Sequence, residues 1–507
     1  MYFIGLRWSR NRGAVTMHYY KILENKSFIG RNRELTLLRE VHTTEAAAII
    51  VVAGRRRIGK TELIEQFFRG NKVIKLEGIQ TERPRGRSHK TLMLKQIEAC
   101  IHRLRAYNWE IPSDLKCSSW TDFFEFISPT LEAQPIIFYL EEIQWLCAYQ
   151  DDLLAELKPF WDDRWRHNPS LRIVISGSSP SFIATQFMSN KAIYNRSDRH
   201  ISLHEFSPNE VAAILPGRGT REYLLASLTV GGIPGYLQRF PQNKSILETL
   251  TLESFSRDGF FVKELDRIYI SSLAESDNYR KIVETLAKQG SLTRGEIANK
   301  VTGSTRAGGE LSKILGDLVS CGFLEEYPPV QQPNAQIGNR FRISDEFIHF
   351  FYHFIKPKIR DITAGKFDNN PKLGLPEREL SVFLGLSFER WVRKNNLIIA
   401  KKLGFYGVEF HAGSFFHKAA KGFQIDLLIE RADHTLIVVE AKYATSPLKT
   451  TVASQVNEKI ERMIEAFPKY KTYTIRKLLV VSDAAFVPLS LREQFDFMMS
   501  AEDFFSS

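Results

Sequence analysis

The chain has 507 residues, of which 43% are hydrophobic and 25% are charged, as in a folded globular protein. This length predicts about three domains. The formal net charge of +11 favours a polyanionic partner, with simple solubility as the alternative explanation. No apolar stretch approaches the ~20 residues of a membrane span. The four cysteines are scattered and form no CxxC pair, which argues against a disulfide scaffold or a zinc site and suits a cytoplasmic protein.

The first predicted elements surround a glycine-rich loop. Residues 1–26 are interpreted as an N-terminal extension, with Met17 as an alternative start. Residues 47–53 form an apolar run that predicts a buried parallel strand. The sequence GRRRIGKT at 54–61 follows and is a complete GxxxxGK[ST] loop, and residues 62–68 then predict an amphipathic helix. A strand, a glycine-rich loop and a helix in this order predict a site for nucleotide phosphates.

The chemistry of the loop assigns a role to each part of it. Its backbone N–H groups would surround the phosphates, Lys60 would reach the β- and γ-phosphates, and Thr61 would hold Mg²⁺. The residues predicted to contact ATP are Gly54, Arg55, Arg56, Arg57, Ile58, Gly59, Lys60, Thr61 and Glu62. The alternative is a glycine turn that carries a surface lysine.

Two further apolar strands are predicted at 135–140 and 171–178. Strands that alternate with helices predict an α/β domain over 27–205, with a parallel sheet covered by helices on both faces. Glu141 and Glu142 follow the first of these strands, so Glu141 is predicted to support Mg²⁺ and Glu142 to act as general base on the attacking water. The alternative is that both acids cap the next helix. Ser178 and Ser179 end the other strand and are candidates to sense the γ-phosphate.

The middle of the chain is predicted to be mainly helical. Residues 206–276 are predicted to form a mainly helical segment interrupted by GGIPGY at 231–236. Residues 277–355 predict a winged helix-turn-helix, which either contacts DNA through Thr302–Arg306 and Lys313 or docks against other domains. Its helices are expected at 279–289, 293–300 and 310–321, the second with a capping box of Thr293 and Glu296, and its two wing strands at 322–327 and 340–344. Residues 356–376 are rich in Lys, Pro, Gly and Asn and are predicted to be a linker.

The last domain, 377–507, contains charged residues on apolar strands. Residues 422–430 and 435–442 predict a hairpin with a four-residue turn at 431–434. Strand alternation places Asp426 on one face of its strand, and Glu440 with Lys442 on one face of the next. Two carboxylates suit Mg²⁺, and the lysine would orient a water and stabilise a developing anion. Flanking helices supply Glu389 and Gln455. The alternative is an inactive scaffold in which these charges form a buried salt bridge.

Several of these motifs together resemble the archaeal-type ATPases of the STAND-like branch of the AAA+ superfamily. The resemblance is carried by residues 28–34, the GRRRIGKT loop and the stretches 141–145, 176–178 and 231–237. It implies an AAA+ parallel sheet with a helical lid and a winged helix, and it implies that Pro234 of the Gly-x-Pro motif touches the nucleotide. It also implies that Arg196 or Arg199 faces the phosphate of a neighbouring subunit in a homo-oligomer, for which a structural salt bridge is the alternative.

The charges of the last domain resemble those of PD-(D/E)XK nucleases. Asp426 and the Glu440-Ala-Lys442 stretch fall at the motif positions, Glu389 is the helix acid, and Ile425 stands where the motif has proline. This resemblance implies a restriction-endonuclease-like α/β domain that cleaves nucleic acid, DNA first, with Mg²⁺. The sequence therefore predicts an ATP-binding and ATP-hydrolysing protein with a fused nuclease-like domain. The alternative is a nucleotide-switched regulatory protein whose last domain is only a docking surface.

Overall fold

The computed structural model describes residues 19–80, 89–148, 152–184, 196–273, 277–302, 308–327, 339–417 and 422–506. The chain divides into two compact units, the first of residues 1–54 with 60–203 and the second of residues 55–59 with 204–507. Within the described ranges, no helix combines the length and the apolar character needed to cross a membrane. Most of the predicted N-terminal extension, including Met17, lies outside these ranges.

A five-stranded parallel sheet forms the centre of the first unit, as predicted. Its order is β2-β3-β4-β1-β5, and every neighbouring pair is parallel. Strand β1 is apolar along its whole length, and every residue of β3 and β4 is buried, because both faces of the sheet are covered. The strands are β1 (Ala48–Ala53), β2 (Val73–Glu77), β3 (Ile136–Glu141), β4 (Leu171–Gly177) and β5 (Ser197–Ser202).

The helices of the first unit cover this sheet. An aromatic cluster in which the Phe124 ring meets the Trp165 ring edge-on at 5.4 Å is part of its core. The helices are α1 (Asn32–His42), α2 (Lys60–Phe68), α3 (His89–Ala106), α4 (Trp120–Ala133), α5 (Ile143–Leu146), α6 (Asp152–Asp163) and α7 (Pro180–Ile183).

The second unit begins with the helical segment predicted for residues 206–276. A Cβ on Gly232 would lie 2.3 Å from the Phe206 carbonyl oxygen, so only glycine fits this part of the GGIPGY stretch. The helices are α8 (Pro208–Ile214), α9 (Thr220–Thr229), α10 (Pro234–Leu237), α11 (Ile246–Phe255) and α12 (Glu264–Ser272).

Three helices and a small antiparallel sheet follow, in the order β6-β8-β7. The predicted capping box is present, since the Thr293 N–H donates to Glu296 at 2.6 Å and the Glu296 N–H donates to the Thr293 hydroxyl at 3.3 Å. Residues 303–307, which hold most of the predicted DNA-contacting stretch, lie outside the described ranges. The elements are α13 (Asp277–Gln289), β6 (Ser291–Thr293), α14 (Arg294–Thr302), α15 (Gly309–Ser320), β7 (Leu324–Tyr327) and β8 (Arg340–Ile343).

The segment 356–376, which the sequence predicts to be a linker, contains a helix. After α16 (Glu346–Phe350) and a π-helical turn (Phe351–Ile355), residues Lys356–Thr363 form helix α17. Ile362 and Leu375 are buried. The polar composition suggested a loose connection, but these two apolar anchors fix the segment against the protein.

The last domain contains a mixed sheet in the order β13-β12-β11-β10-β9. Strands β9 to β11 are antiparallel, and β11 to β13 are parallel. The predicted hairpin is present, but its turn has three residues, 432–434, because Arg431 still pairs with Phe410 in the strand. The strands are β9 (Phe410–His417), β10 (Phe423–Arg431), β11 (Thr435–Lys442), β12 (Thr474–Val481) and β13 (Phe497–Ser500). The helices are α18 (Glu377–Lys394), α19 (Asn396–Lys402), α20 (Thr451–Ala466), α21 (Leu489–Arg492) and α22 (Ala501–Phe505).

Candidate nucleotide site and acidic cluster

Glu141 and Thr61 lie together at the carboxyl end of β3. The Thr61 hydroxyl donates to the Glu141 carboxylate, which also accepts from the Tyr139 hydroxyl at 3.0 Å. A hydroxyl and a carboxylate are oxygen ligands of the kind that Mg²⁺ takes in phosphate-binding loops. The two predicted metal-supporting residues are therefore adjacent, and their donor atoms suit this ion.

Lys75 on β2 is a member of this group that the sequence reasoning missed. Its ammonium lies 2.8 Å from Glu141 and 2.8 Å from Glu65. Burial opposes the charge of Lys75, but Glu141 and Glu65 outweigh that effect and raise the pKa of its ammonium. The available signal was a lysine between the apolar residues Ile74 and Leu76 of β2.

Glu142, the predicted general base, contacts Ser178, the predicted phosphate sensor. One Glu142 carboxylate oxygen accepts from the Ser178 hydroxyl at 2.7 Å, from the Ser178 N–H at 3.1 Å and from the Gln144 amide at 2.5 Å. Glu142 has a left-handed backbone with φ of 52°, so it leaves the strand in a different direction from Glu141. These contacts fix the orientation of the carboxylate. Ser179 is buried beside Ser178.

The Lys60 ammonium is held by the loop's own backbone. Its Nζ donates to the Gly54 carbonyl oxygen at 2.9 Å, and the residue is buried. Gly59 has a φ of 92°, which a residue with a side chain rarely adopts. Glu62 is exposed and accepts from the Asn25 amide at 2.6 Å. A nucleotide phosphate would compete with the Gly54 carbonyl for the lysine.

Loop residues 55–59 belong to the second unit, and two of their side chains bind carboxylates there. Arg55 pairs with Asp345, and both side chains are almost fully buried at 7% and 4% exposure. Arg57 binds both oxygens of Glu264 at 2.5 and 3.1 Å. Since both side chains bind carboxylates, the phosphate contacts predicted for Arg55 and Arg57 would have to come from their backbone N–H groups. Ile58 is buried and Arg56 is partly buried.

The GGIPGY stretch packs on the same loop residues. Pro234 is buried at the start of α10, and the N–H of the next residue, Gly235, donates to the Arg57 carbonyl at 3.1 Å. A Cβ on Gly235 would come within 2.8 Å of the Arg57 Cβ. The nucleotide loop and the GGIPGY stretch thus approach each other closely at Arg57 and Gly235.

The two candidate arginine fingers form ion pairs within the chain. Arg196 binds both oxygens of Asp162 at 2.5 and 2.7 Å, and Arg199 lies 2.9 Å from Glu40. These contacts favour the structural salt bridge, the alternative that the sequence left open.

The four charged residues predicted for the last domain come together near the start of β10 and the end of β11. They are Glu389, Asp426, Glu440 and Lys442. Glu440 is only 2% exposed, and its Oε1 lies 2.6 Å from the Lys442 ammonium. Asp426 accepts from the Ala441 N–H at 3.0 Å. Burial, and then the charge of Glu440, raise the pKa of Asp426. Burial, and then the charge of Asp426, raise the pKa of Glu389 on α18 to about 7.

Glu389, Asp426, Glu440 and Lys442 are together called the acidic cluster. Lys459 on α20 is a further member of it. Its ammonium lies 2.7 Å from Glu440 Oε2. The signal in the sequence was position, because Lys459 interrupts the buried stripe of Val452, Val456 and Met463 on its helix. Gln455, which the sequence suggested from the same helix, is exposed.

The donor atoms of the acidic cluster fit only some metals. Among the described residues, no group of three or more His, Cys, Asp or Glu side chains is arranged to hold a metal ion. Mg²⁺ keeps several waters and needs only one or two carboxylates, so Asp426 and Glu440 suffice for it. A structural zinc site needs about four protein ligands, and this cluster does not supply them.

Comparison with known proteins identifies the nucleotide-binding part of the chain. Residues 28–240 match the family model described as an ATPase domain predominantly from Archaea. Residues 28–240 therefore match an archaeal-type ATPase domain, which confirms that part of the sequence prediction. It is 25% identical over 419 residues to an uncharacterised protein of Methanocaldococcus jannaschii, and the match covers 82% of this chain and 87% of that protein.

Two solved structures are also similar to the chain. One is the Walker-type ATPase of Pyrococcus abyssi, with a TM-score of 0.48 and 17% identity over 66% of this chain and 97% of that one. The other is the Aeropyrum pernix ORC2 protein in its ADPNP–ADP complexes, with a TM-score of 0.40 and 13% identity over 68% of this chain and 98% of that one.

Proposed function

We propose that this protein hydrolyses ATP with Mg²⁺ and that its nucleotide state controls Mg²⁺-dependent cleavage of nucleic acid by residues 377–507. The observation that carries the proposal is the convergence of Glu389, Asp426, Glu440 and Lys442 in a domain joined to an ATPase. DNA is the first substrate to test, and the net charge of +11 is compatible with it. The winged helix is proposed as a second contact to DNA, with internal docking as its other role.

The residues of the ATPase site have distinct tasks in this proposal. Lys60 exchanges the Gly54 carbonyl for the β- and γ-phosphates, and Thr61 and Glu141 hold the metal. Glu142, oriented by Ser178, accepts the proton of the attacking water. Pro234 contacts the nucleotide from the lid.

The residues of the acidic cluster divide the work of phosphodiester hydrolysis. Asp426 and Glu440 hold a divalent ion, which would polarise the phosphate and activate a water. Lys442 stabilises the negative charge that develops on the phosphate. Glu389, whose pKa is raised to about 7, moves a proton to or from that water.

Ion pairs within the second unit support a connection between the nucleotide loop and the acidic cluster. Arg55 of the loop pairs with Asp345, which also caps α16 by accepting from the Ile348 N–H at 2.8 Å. The next residue, Glu346, lies 3.0 Å from Arg390 on α18. Arg390 directly follows Glu389. A shift of the loop on binding ATP would therefore be transmitted to the helix that carries a cluster residue.

A second function is favoured by one observation. Both Glu440 oxygens already bind lysines, so the cluster also suits a permanently closed salt bridge. The last domain would then be a docking surface and the protein a nucleotide-switched regulator.

One experiment separates the two functions. The full-length protein is incubated with linear, circular and single-stranded DNA and with RNA, in Mg²⁺ or Mn²⁺, with and without ATP. Cleavage by the wild type that Asp426→Ala abolishes, while ATP turnover stays intact, is the expected result. Absence of cleavage on every substrate would favour the second function, a nucleotide-switched regulator. Equal cleavage by the wild type and Asp426→Ala would show that the nuclease active site lies elsewhere.

A further inference from the structure

Two lysines from different elements neutralise one buried carboxylate. Lys442 lies on the same strand as Glu440 and binds Oε1, whereas Lys459 reaches Oε2 from α20. The Lys459 side chain is 23% exposed and therefore keeps a path to solvent.

Lys442 alone would be enough to pair with Glu440, so ion pairing does not explain why a second lysine, Lys459, is present. Asp426 and Glu440 carry two negative charges, and Lys442 and Lys459 carry two positive ones. These four side chains are thus formally neutral without a metal, and Glu389 adds at most one negative charge, which is fewer than the two positive charges of a divalent ion. A divalent ion added to this cluster would leave an excess of positive charge in a partly buried place, which is costly unless an anion arrives as well. A backbone phosphate of nucleic acid supplies such an anion.

We propose that Lys459 binds the Glu440 oxygen that a divalent ion would otherwise take, and that it transfers to a substrate phosphate when that ion binds. A lysine suits this exchange because its ammonium sits on a flexible stem and needs no fixed geometry. The inference rests on the proposed nuclease function and deepens it. Lys459 is a positioning residue that makes the binding of metal and the binding of nucleic acid depend on each other.

This exchange predicts linkage of a definite sign. Free of nucleic acid, Lys459 competes with the metal and weakens its binding. With nucleic acid present, the ammonium leaves Glu440 for the phosphate, and metal affinity rises. Linkage requires the metal to raise the affinity for nucleic acid by the same factor, and about 5- to 150-fold is the usual range.

The test measures binding and not cleavage. Mn²⁺ binding to the full-length protein without nucleotide is followed by electron paramagnetic resonance, with and without a phosphorothioate duplex that resists cleavage. The bound Mn²⁺ that Asp426→Ala loses is assigned to the acidic cluster, which separates it from any Mn²⁺ held by Thr61 and Glu141. For the wild type, the duplex should increase Mn²⁺ affinity at least fivefold. For Lys459→Met, Mn²⁺ affinity without the duplex should rise about tenfold, and the increase caused by the duplex should shrink towards one. A purely structural salt bridge would not strengthen metal binding when it is removed.

Matched variants make the result specific. Lys449→Met removes the same charge from an exposed position near the start of α20 and should behave as the wild type. Lys459→Gln keeps a hydrogen-bond donor without the charge, so it replaces Lys459→Met if that variant fails to fold. Unchanged or weaker Mn²⁺ binding in the folded Lys459 variants, beside normal binding by the wild type, would overturn this inference alone. Equal Mn²⁺ binding by the wild type and by Asp426→Ala, with and without the duplex, would show that the acidic cluster holds no metal and would overturn the proposed nuclease function as well.

Discussion

Arg55 of the nucleotide loop and Asp345 before α16 form an ion pair that is almost completely removed from solvent. A second contact of the Arg55 guanidinium, to the Tyr236 hydroxyl at 3.2 Å, joins the same loop to α10. Loop residues 55–59 are therefore held by an ion pair as well as by the packing of Gly235. Residues outside the phosphate-binding motif thus help to set its conformation.

Loss of Arg55 should destabilise the protein strongly. Arg55→Met leaves Asp345 buried without a counter-charge, and removal of one partner of a buried pair costs about 3–5 kcal/mol. The free energy of unfolding from urea titrations measures this effect. Arg199→Met is the control, because its partner Glu40 is exposed and an exposed pair contributes at most about 1 kcal/mol. Equal losses for the two variants would show that the Arg55 pair is solvated in solution.

Lys60→Ala should abolish ATP hydrolysis and weaken ATP binding, since Lys60 supplies the main positive charge to the β- and γ-phosphates. A titration with a fluorescent ATP analogue, together with a phosphate-release assay, measures both effects. Lys72→Ala, in an exposed position before β2, is the control. Wild-type affinity and turnover in Lys60→Ala would rule out the assigned nucleotide site.

Glu142→Gln should retain bound ATP while its turnover falls by roughly 10²- to 10⁴-fold, the usual contribution of a general base. The glutamine keeps the size of the side chain and can still accept from the Ser178 hydroxyl. Glu141→Gln, by contrast, should raise the Mg²⁺ concentration needed for turnover. If Glu142→Gln hydrolyses ATP normally and Glu141→Gln does not, the two acids have been assigned the wrong roles.

Local patterns in the sequence predicted most individual helices and strands, but they did not predict which distant strands pair with each other. The apolar runs at 47–53, 135–140 and 171–178 became β1, β3 and β4 because buried parallel strands need continuous apolar residues. The order β2-β3-β4-β1-β5 depends on contacts between distant segments, and no periodicity encodes it. The helix within 356–376 was not predicted for a similar reason, since the burial of Ile362 depends on distant contacts that a polar composition does not reveal.

In the candidate sites too, residues within local motifs were predicted, whereas residues that depend on distant partners were not. Thr61, Glu141, Asp426, Glu440 and Lys442 follow from motifs, because their spacing along the chain is part of the chemistry. Lys75, Asp345 and Lys459 were missed, since each acquires its role from a partner far away in sequence. A lysine at a position where the pattern requires an apolar residue is the one signal that the sequence offered for Lys75 and Lys459.

The Glu389 carboxyl should make stability fall as the pH rises. In the folded protein, burial and Asp426 raise its pKa from 4.5 to about 7. Between these two values the folded state binds more protons than the unfolded state, so the free energy of unfolding decreases with pH across this window and levels off above it. Glu389→Gln removes this titration, and its stability relative to the wild type should therefore increase from pH 5 to pH 8. Urea titrations in metal-free buffer measure the difference, with Glu379→Gln on the exposed side of α18 as the control. A difference between Glu389→Gln and the wild type that does not change with pH would show that Glu389 is already ionised at pH 5 and lies outside the influence of Asp426.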